Sequence, residues 1–538
     1  MPDLALLQPM AASAYSRRQA LKFGLGATAI GTAGLLLSSC GRSPSAEPAV
    51  AGPPKKGGTL RVGAITGGSA ETLNPSLVLT SPDALRSYAL FDRLFEQYDD
   101  VTNVKPGLAL SAEHGGDARV WTLHLRQGVT WHDGKPFTAD DVVWTINTWS
   151  DPQSYAFQFF DGIIDFKNVK SVDKLTVLVP LIVAVAEFPS LLTFYNQGVV
   201  QNGSTAASFA KPIGTGPFTF ESFEPGRQSS FAANRSYWED PYPYLDRLII
   251  DSSYSDETPR LNALLSGNID VLPLAPPVEA KQHDSDPTLT LLRSPSPITM
   301  LINMRVDTGP FADPRVREAV RLVVDRQQMI DIALAGYGTA ANDLVGFGCT
   351  NYAGDLTRGR DVEKAKSLLK AAGAEGLTFD LPTSNAVPGF VEAATIFAQQ
   401  CQAAGIQVNV KNGSAADYFG SDFLTRPIGQ DQSLAAPSLT QAYRTFFVPN
   451  GSYNTTHWGE QPGGDKSVAL LADAIAAVEP GRAAELWHQV QLEQFNMGGQ
   501  LAWGRNDSLD LVAKKVQGLS AGPFAALNNW RLYTAWIS

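Results

Sequence analysis

The pentapeptide Gly518-Leu519-Ser520-Ala521-Gly522 has the spacing that can place a serine nucleophile on a strand-to-helix elbow. That chemistry needs an Asp and then a His further along, yet Pro523 follows at once and the last histidine, His488, lies upstream. Ser520 therefore reads as part of a turn, and an exported hydrolase is the disfavoured alternative. Gly24-Leu25-Gly26-Ala27-Thr28-Ala29 fits the dinucleotide fingerprint, but basic and polar residues precede it and no acid appears before Glu47. The six histidines are scattered, with no CxxC pair and no HExxH, which argues against a dedicated metal site. The expectation is a protein that is not an enzyme, with no catalytic residues, no cofactor and no metal.

Other residues point to export. Arg17, Arg18 and Lys22 precede an apolar run from Phe23 to Leu37, too short and weakly apolar for a spanning helix. Ser16 to Lys22 resembles the twin-arginine export signal, with Ala20 where that signal has a Phe. Leu37-Ser38-Ser39-Cys40 resembles a lipobox, which implies cleavage before Cys40 and lipidation of its thiol. Residues 1–39 are then a signal peptide, and 40–57, rich in Pro, Ser and Ala, a lipidated flexible tether. This places the protein outside the cytoplasm, in the periplasm or at the cell surface, held to a membrane without spanning it.

The chain has 538 residues and a formal charge of -11, with 44% hydrophobic and 18% charged residues. Such a length supports two to four structural units. The acidic balance argues against nucleic acid as a partner. Cys349 and Cys401 could bridge in an oxidising compartment, the alternative being two free buried thiols.

The elements that must position any site begin at Gly58–Gly63, where alternating apolar residues mark a strand. Val120–Leu125 is a second strand, followed by a turn at His132-Asp133-Gly134-Lys135. Thr138 and Asp141 form a near capping box that opens a helix from Asp140 to Trp149. One long helix is expected from Asp313 to Leu334, with Pro314 in its first turn and a Val/Ile stripe. Another runs from Asp361 to a stop at Gly373, and a third from Val391 to Ala404, feeding a strand Ile406–Val410. Helices interleaved with short strands indicate an α/β architecture.

Several blocks carry a family resemblance. "WTLHLRQGVTWHDGKPFTADDVVWTI" (121–146) and "KPIGTGPFTFESFEPGRQSSFAANRSYW" (211–238) are similar to signatures of the family 5 extracellular solute-binding proteins, the peptide- and nickel-type receptors of ABC importers. "PRLNALLSGNIDV" (259–271), "FADPRVREAVRLVVDRQQMI" (311–330), "DVEKAKSLLKAAG" and "FAQQCQAAGIQVNV" follow in the family's order. The resemblance implies a two-lobed, periplasmic-binding-protein-like fold of type II with mixed sheets and an extra subdomain in lobe I. Lobe I would span 58–295 with a C-terminal return at 505–538, and lobe II 296–504. Trp121, Trp131 and Trp144 sit inside the signatures and read as packing anchors.

By the same resemblance a small solute, with peptide the leading class and sugars, opine-like compounds and metal chelates behind, would bind between the lobes. It would pass to ABC permease and ATPase subunits, with the receptor itself a monomer. A sensor or chaperone lipoprotein using the same cleft is the other alternative. The implied ligand-binding residues are Ser69, Tyr88, Asn303, Arg426, Tyr453, Trp458 and Trp503. Many peptide-binding relatives place an aspartate where this chain has "GQDQSLAAPSLTQAYRTFF" (429–447), and no acid stands near Pro437. A buried ammonium needs a paired charge, so a peptide held by its amino end requires Asp431 or another acid. Arg426, if it faced the cleft, would favour an anionic solute.

Overall fold

The computed structural model describes residues 52–538, apart from 79, 99–100, 386, 434, 450, 452 and 523–525. The expected signal peptide and the lipidation site Cys40 lie outside the described residues.

Two main sheets organise the chain. The first has seven strands in the order Leu289–Ser294, Ser508–Ala513, Val271–Leu272, Thr59–Ile65, Arg247–Tyr254, Gln228–Ala233 and Phe218–Glu224. Thr59–Ile65 runs parallel to both neighbours, with Leu60 opposite Leu248 and Val62 opposite both Ile250 and Val271. The alternation read in the sequence is the reason: Leu60 and Val62 are fully buried while Arg61 is exposed. The second sheet is antiparallel, in the order Gly338–Ala340, Gln500–Asn506, Thr299–Met304 and Ile428–Ser433.

The chain passes between these sheets at two adjacent places. One lies between Ser294 and Thr299, the other at Asp507 between Asn506 and Ser508. Ser294 pairs with Ser508, and Thr299 with Arg505, so the two passages run side by side.

A third, antiparallel sheet, in the order Ala109–His114, Val120–Leu125, Thr176–Pro180 and Lys170–Asp173, forms an additional unit within the first half. Its helix, Ala139–Thr148, starts at the expected cap: Thr138 and Asp141 complete a capping box, and Asp141 also accepts from Trp131 Nε1 at 3.2 Å. Trp121 and Trp131 are buried and Trp144 partly so, as packing anchors should be. Gly214 and Gly216 are glycines for a reason of space. A Cβ there would lie 1.7 Å from Leu90 O and 2.6 Å from Leu90 C.

The expected helix Asp313–Leu334 is in fact two, Pro314–Leu322 and Arg326–Ala333. Asp325 breaks it, because its carboxylate accepts from Gln328 N at 3.0 Å and caps a new helix. The helices Val362–Ala371 and Phe390–Gln402 and the strand Gln407–Asn412 stand close to where the sequence places them.

The second sheet has helices on both faces. Met300, Ile302, Met304 and Leu501 join one core with the helices 314–333 and 390–402. Leu301 and Ala502 join another, which merges residues 94–199 with 436–490. Cys401 belongs to the first of these cores and Cys349 to the second, so the bridge weighed from the sequence is not made. Burial pushes both thiols well above their ordinary pKa.

Candidate functional site

The junction of the two halves is built outward from helix Ser81–Leu90, which Thr80 and Asp83 cap as a box. Arg86, fully buried, fixes that helix to its sheet. It reaches Glu71 at 2.9 Å, Asp83 at 3.2 Å, Ser229 at 2.9 Å and Ser252 at 2.8 Å. Glu71 in turn accepts from Gly67 N and Gly226 N, which sets the course of the loop after the first strand. A buried charge network of this kind holds only while all its members are paired.

The helix delivers Tyr88 and then a turn carrying Asp92, Arg93 and Gln97. Asp92 accepts from Thr215, Tyr237 and Trp238 at 2.8 to 2.9 Å. Arg93 stacks on the Tyr88 ring and donates to Glu96 at 3.2 Å. Its Nε and Nη1 are buried with no protein partner among the described residues. Gln97 lies where the halves meet: Nε2 donates to Val101 O at 2.9 Å and to Pro437 O at 3.3 Å, while Oε1 accepts from Thr193. Thr440 donates to Glu187 at 2.9 Å and Arg444 to Asp161 O at 3.0 Å, so further bonds close the same seam. Burial raises the Glu187 carboxyl above its ordinary range.

From the other side, register puts Thr299, Leu301 and Asn303 on one face of the second sheet with Gly429, Asp431, Ser433, Gln500 and Ala502. Leu301 and Ala502 show that this face is turned to the core shared by the two halves. Asp431 accepts from Gln432 N at 2.8 Å through Oδ1, whereas its Oδ2 has no protein partner among the described residues. Burial pushes its pKa up to about 7. Ser433 Oγ, Asn303 Oδ1 and both amide atoms of Gln500 are likewise buried without a protein partner, as are Asn196 Oδ1 and Gln197 Nε2 in the first half. More than nine in ten buried polar groups in folded proteins have a partner. A concentration of unmet donors and acceptors along this seam is what a polar solute can satisfy.

The sequence candidates divide. Tyr88 and Tyr453 both lie within electrostatic reach of Tyr195. Tyr88 is buried there, with its pKa pushed up to about 12 by desolvation. Ser69 is exposed on the short turn Gly68–Ala70. Asn303 and Arg426 line one small void of about 10 Å³, room for a single water at most. Arg426 is largely committed within its own segment, and only its Nη1 is buried without a protein partner among the described residues. It forks Asp422 with two bonds of 2.9 Å, donates to the Asp417 and Tyr418 carbonyls, and lies over the Tyr418 ring. Trp458, 4% exposed, packs in the core shared by the two halves, whereas Trp503, 1% exposed, lies in the core on the opposite face of the second sheet, away from the seam.

Sequence reading missed Arg93, Gln97, Tyr195, Asn196, Gln197 and Gln500. Ser520 is exposed in a loop after the short strand Val516–Gln517, with no elbow around it. A His-containing acidic cluster, Asp307, His457 and Glu460, is already engaged: Arg305 forks Asp307, and His457 bonds Glu460 and Leu424 O.

Comparison with known proteins agrees with this geometry. A family model described as bacterial extracellular solute-binding proteins, family 5 middle, matches residues 103–448. The dipeptide-binding protein of Escherichia coli (strain K12) is 27% identical over 497 residues, covering 85% of this chain and 91% of that one. Heme-binding protein A of Haemophilus influenzae is 28% identical over 541 residues, covering 92% and 96%. The crystal structure of CtaP, an ABC transporter substrate-binding protein from Listeria monocytogenes, matches with a TM-score of 0.78 at 20% identity, covering 90% of this chain and 100% of that one. That likeness bears out the expected periplasmic-binding-protein-like α/β fold. The family is one of binding proteins and not of enzymes, and this chain belongs to it: the bacterial extracellular solute-binding proteins of family 5.

Proposed function

We propose that this protein is a lipid-anchored receptor that captures a small, amine-bearing solute, a short peptide or peptide-like compound, and delivers it unchanged to an ABC permease. In this reading lobe I is 58–295 with the C-terminal return, lobe II is the segment between, and the paired passages near 295–298 and 507 are the hinge about which they close. The return starts after Asn506, not at 505, because the strand Gln500–Asn506 stays in the second sheet. Export by the signal at 1–39 and lipidation of Cys40 would keep it beside its permease.

The observation that carries the solute class is Asp431. A lone carboxyl buried on the sheet face turned to the seam, with one oxygen unmet, is costly unless a cation joins it. An ammonium group supplies that cation, which answers the missing acid near Pro437. Across the seam, the two unmet nitrogens of Arg93 suit a carboxylate. A zwitterion satisfies both. One curated relative is named for dipeptides and another for heme, so names alone do not choose the solute.

The test is a thermal-shift screen of the mature protein with dipeptides and their N-acetylated forms. A cognate dipeptide at 100 times its dissociation constant should add about 2.7 kcal/mol of stability. N-acetylation should remove most of that gain. Equal stabilisation by both forms would overturn the ammonium reading, and no stabilisation by any dipeptide would overturn the peptide class.

A further inference from the structure

A second cavity lies away from the seam, against the edge strand Gly338–Ala340 of the second sheet. Its volume is about 480 Å³, within the range of small-molecule sites. Its charged wall is formed by Arg326, Arg358, Arg360 and Arg505, and its apolar wall includes Phe347 and Tyr352. Asp325 is the one carboxylate on that wall among the described residues, and it is engaged in capping the helix Arg326–Ala333.

The four guanidiniums are not equally committed. Arg326 and Arg358 share the buried Asp343, at 2.7 and 2.8 Å. Arg360 donates to a neutral oxygen, Val323 O at 3.0 Å. Arg505 donates to Thr339 Oγ1 at 3.0 Å and to Ala340 O at 2.6 Å, and stacks on Phe347 at 3.8 Å. Desolvation lowers the Arg505 pKa, against the opposing influence of Tyr352 and Asp507. Four guanidiniums against Asp325 on the wall and Asp343 behind it leave an excess of positive groups here, in a chain whose formal charge is -11.

We propose that this cavity binds a small molecule bearing a phosphate or carboxylate, with its oxyanion paired to Arg360 and Arg505 and its apolar part beside Phe347 and Tyr352. A planar guanidinium fork matches either oxyanion. Arg505 stands two residues before the inter-sheet passage at Asp507, so an occupant would press on the strand that leads into the hinge. The inference is independent of the solute proposed for the seam.

Calorimetric titration of the mature protein with inorganic phosphate, pyrophosphate and citrate tests it, at low and at physiological ionic strength. The expected result is saturable binding of at least one probe, weakened about tenfold or more in Arg360→Gln/Arg505→Gln. Phosphate-type probes against citrate separate the two oxyanion sources. Arg482→Gln, on an exposed helix face, should bind as the parent does. Should the double variant fail to fold, Arg360→Glu serves instead, since that side chain is exposed, and it should abolish binding. Absence of saturable binding by all three probes, or undiminished binding in the arginine variants, overturns the proposal.

Discussion

The guanidinium of Arg93 lies 3.3 Å from the centre of the Tyr88 ring, with both groups buried at the junction of the two halves. A cation–π contact of this kind is worth about 2 kcal/mol when desolvated. Tyr88→Phe keeps the platform and should leave stability within about 1 kcal/mol of the parent. Tyr88→Ala removes the platform and leaves a cavity, and should cost about 3–5 kcal/mol in urea unfolding. Equal effects of the two substitutions would show that the ring is not what supports Arg93.

Asp431 gives a pH signature. Its folded pKa of about 7 lies above its ordinary value of 3.8, so the folded state holds the proton more tightly than the unfolded one. Its contribution to stability is fully present below about pH 4 and is lost as pH rises through 7. Asp431→Asn should therefore be more stable than the parent at pH 8, by roughly 1–4 kcal/mol, and the gain should vanish near pH 4. Binding of an ammonium-bearing solute should tighten as pH rises through 7, because the ionised carboxylate is the form that pairs. Unfolding curves at the two pH values decide the first point and calorimetry the second.

Local chemistry was legible in the sequence where neighbours in the chain supply it. Thr138 with Asp141 and the turn at Gly134 are closed within a few residues and stand as read, and Asp361, read as the start of its helix, accepts from Lys364 N there. Asp325 has the same capping chemistry, but the Val/Ile stripe continuing on both sides concealed it. The seam is a different matter. Gln97 meets Pro437 across 340 positions and Asn529 across 432, and no periodicity reports such a meeting. Trp503 faces away from the seam while Trp458 packs in the shared core; an aromatic residue suits a core as well as a cleft, and only the packing around it tells which.

The separation of Cys349 and Cys401 into two cores predicts redox indifference. A chain lacking Cys40 should show no reactive thiol while native and two once unfolded, by titration with a thiol reagent under non-reducing conditions. Its melting temperature should not change with reductant. A melting point that falls when reductant is added would mean that the two cores come close enough to be bridged.

Arg426 separates a structural from a binding role. Its side chain holds Asp422 and the Asp417 and Tyr418 carbonyls, bonds that tie the segment 415–426 to the start of the strand Ile428–Ser433. Arg426→Ala strands those carbonyls and leaves the Asp422 carboxylate without its partner. Asp422 itself is largely exposed, so the ion pair contributes little and the buried carbonyls dominate the cost. A loss of about 1–3 kcal/mol of stability is expected. Solute affinity, measured at a temperature where the variant is fully folded, should stay within about threefold of the parent, because only Nη1 of the guanidinium is unmet and the void it lines holds no more than a single water. A variant that stays stable yet loses an anionic solute would return Arg426 to the binding site and remove it from the scaffold.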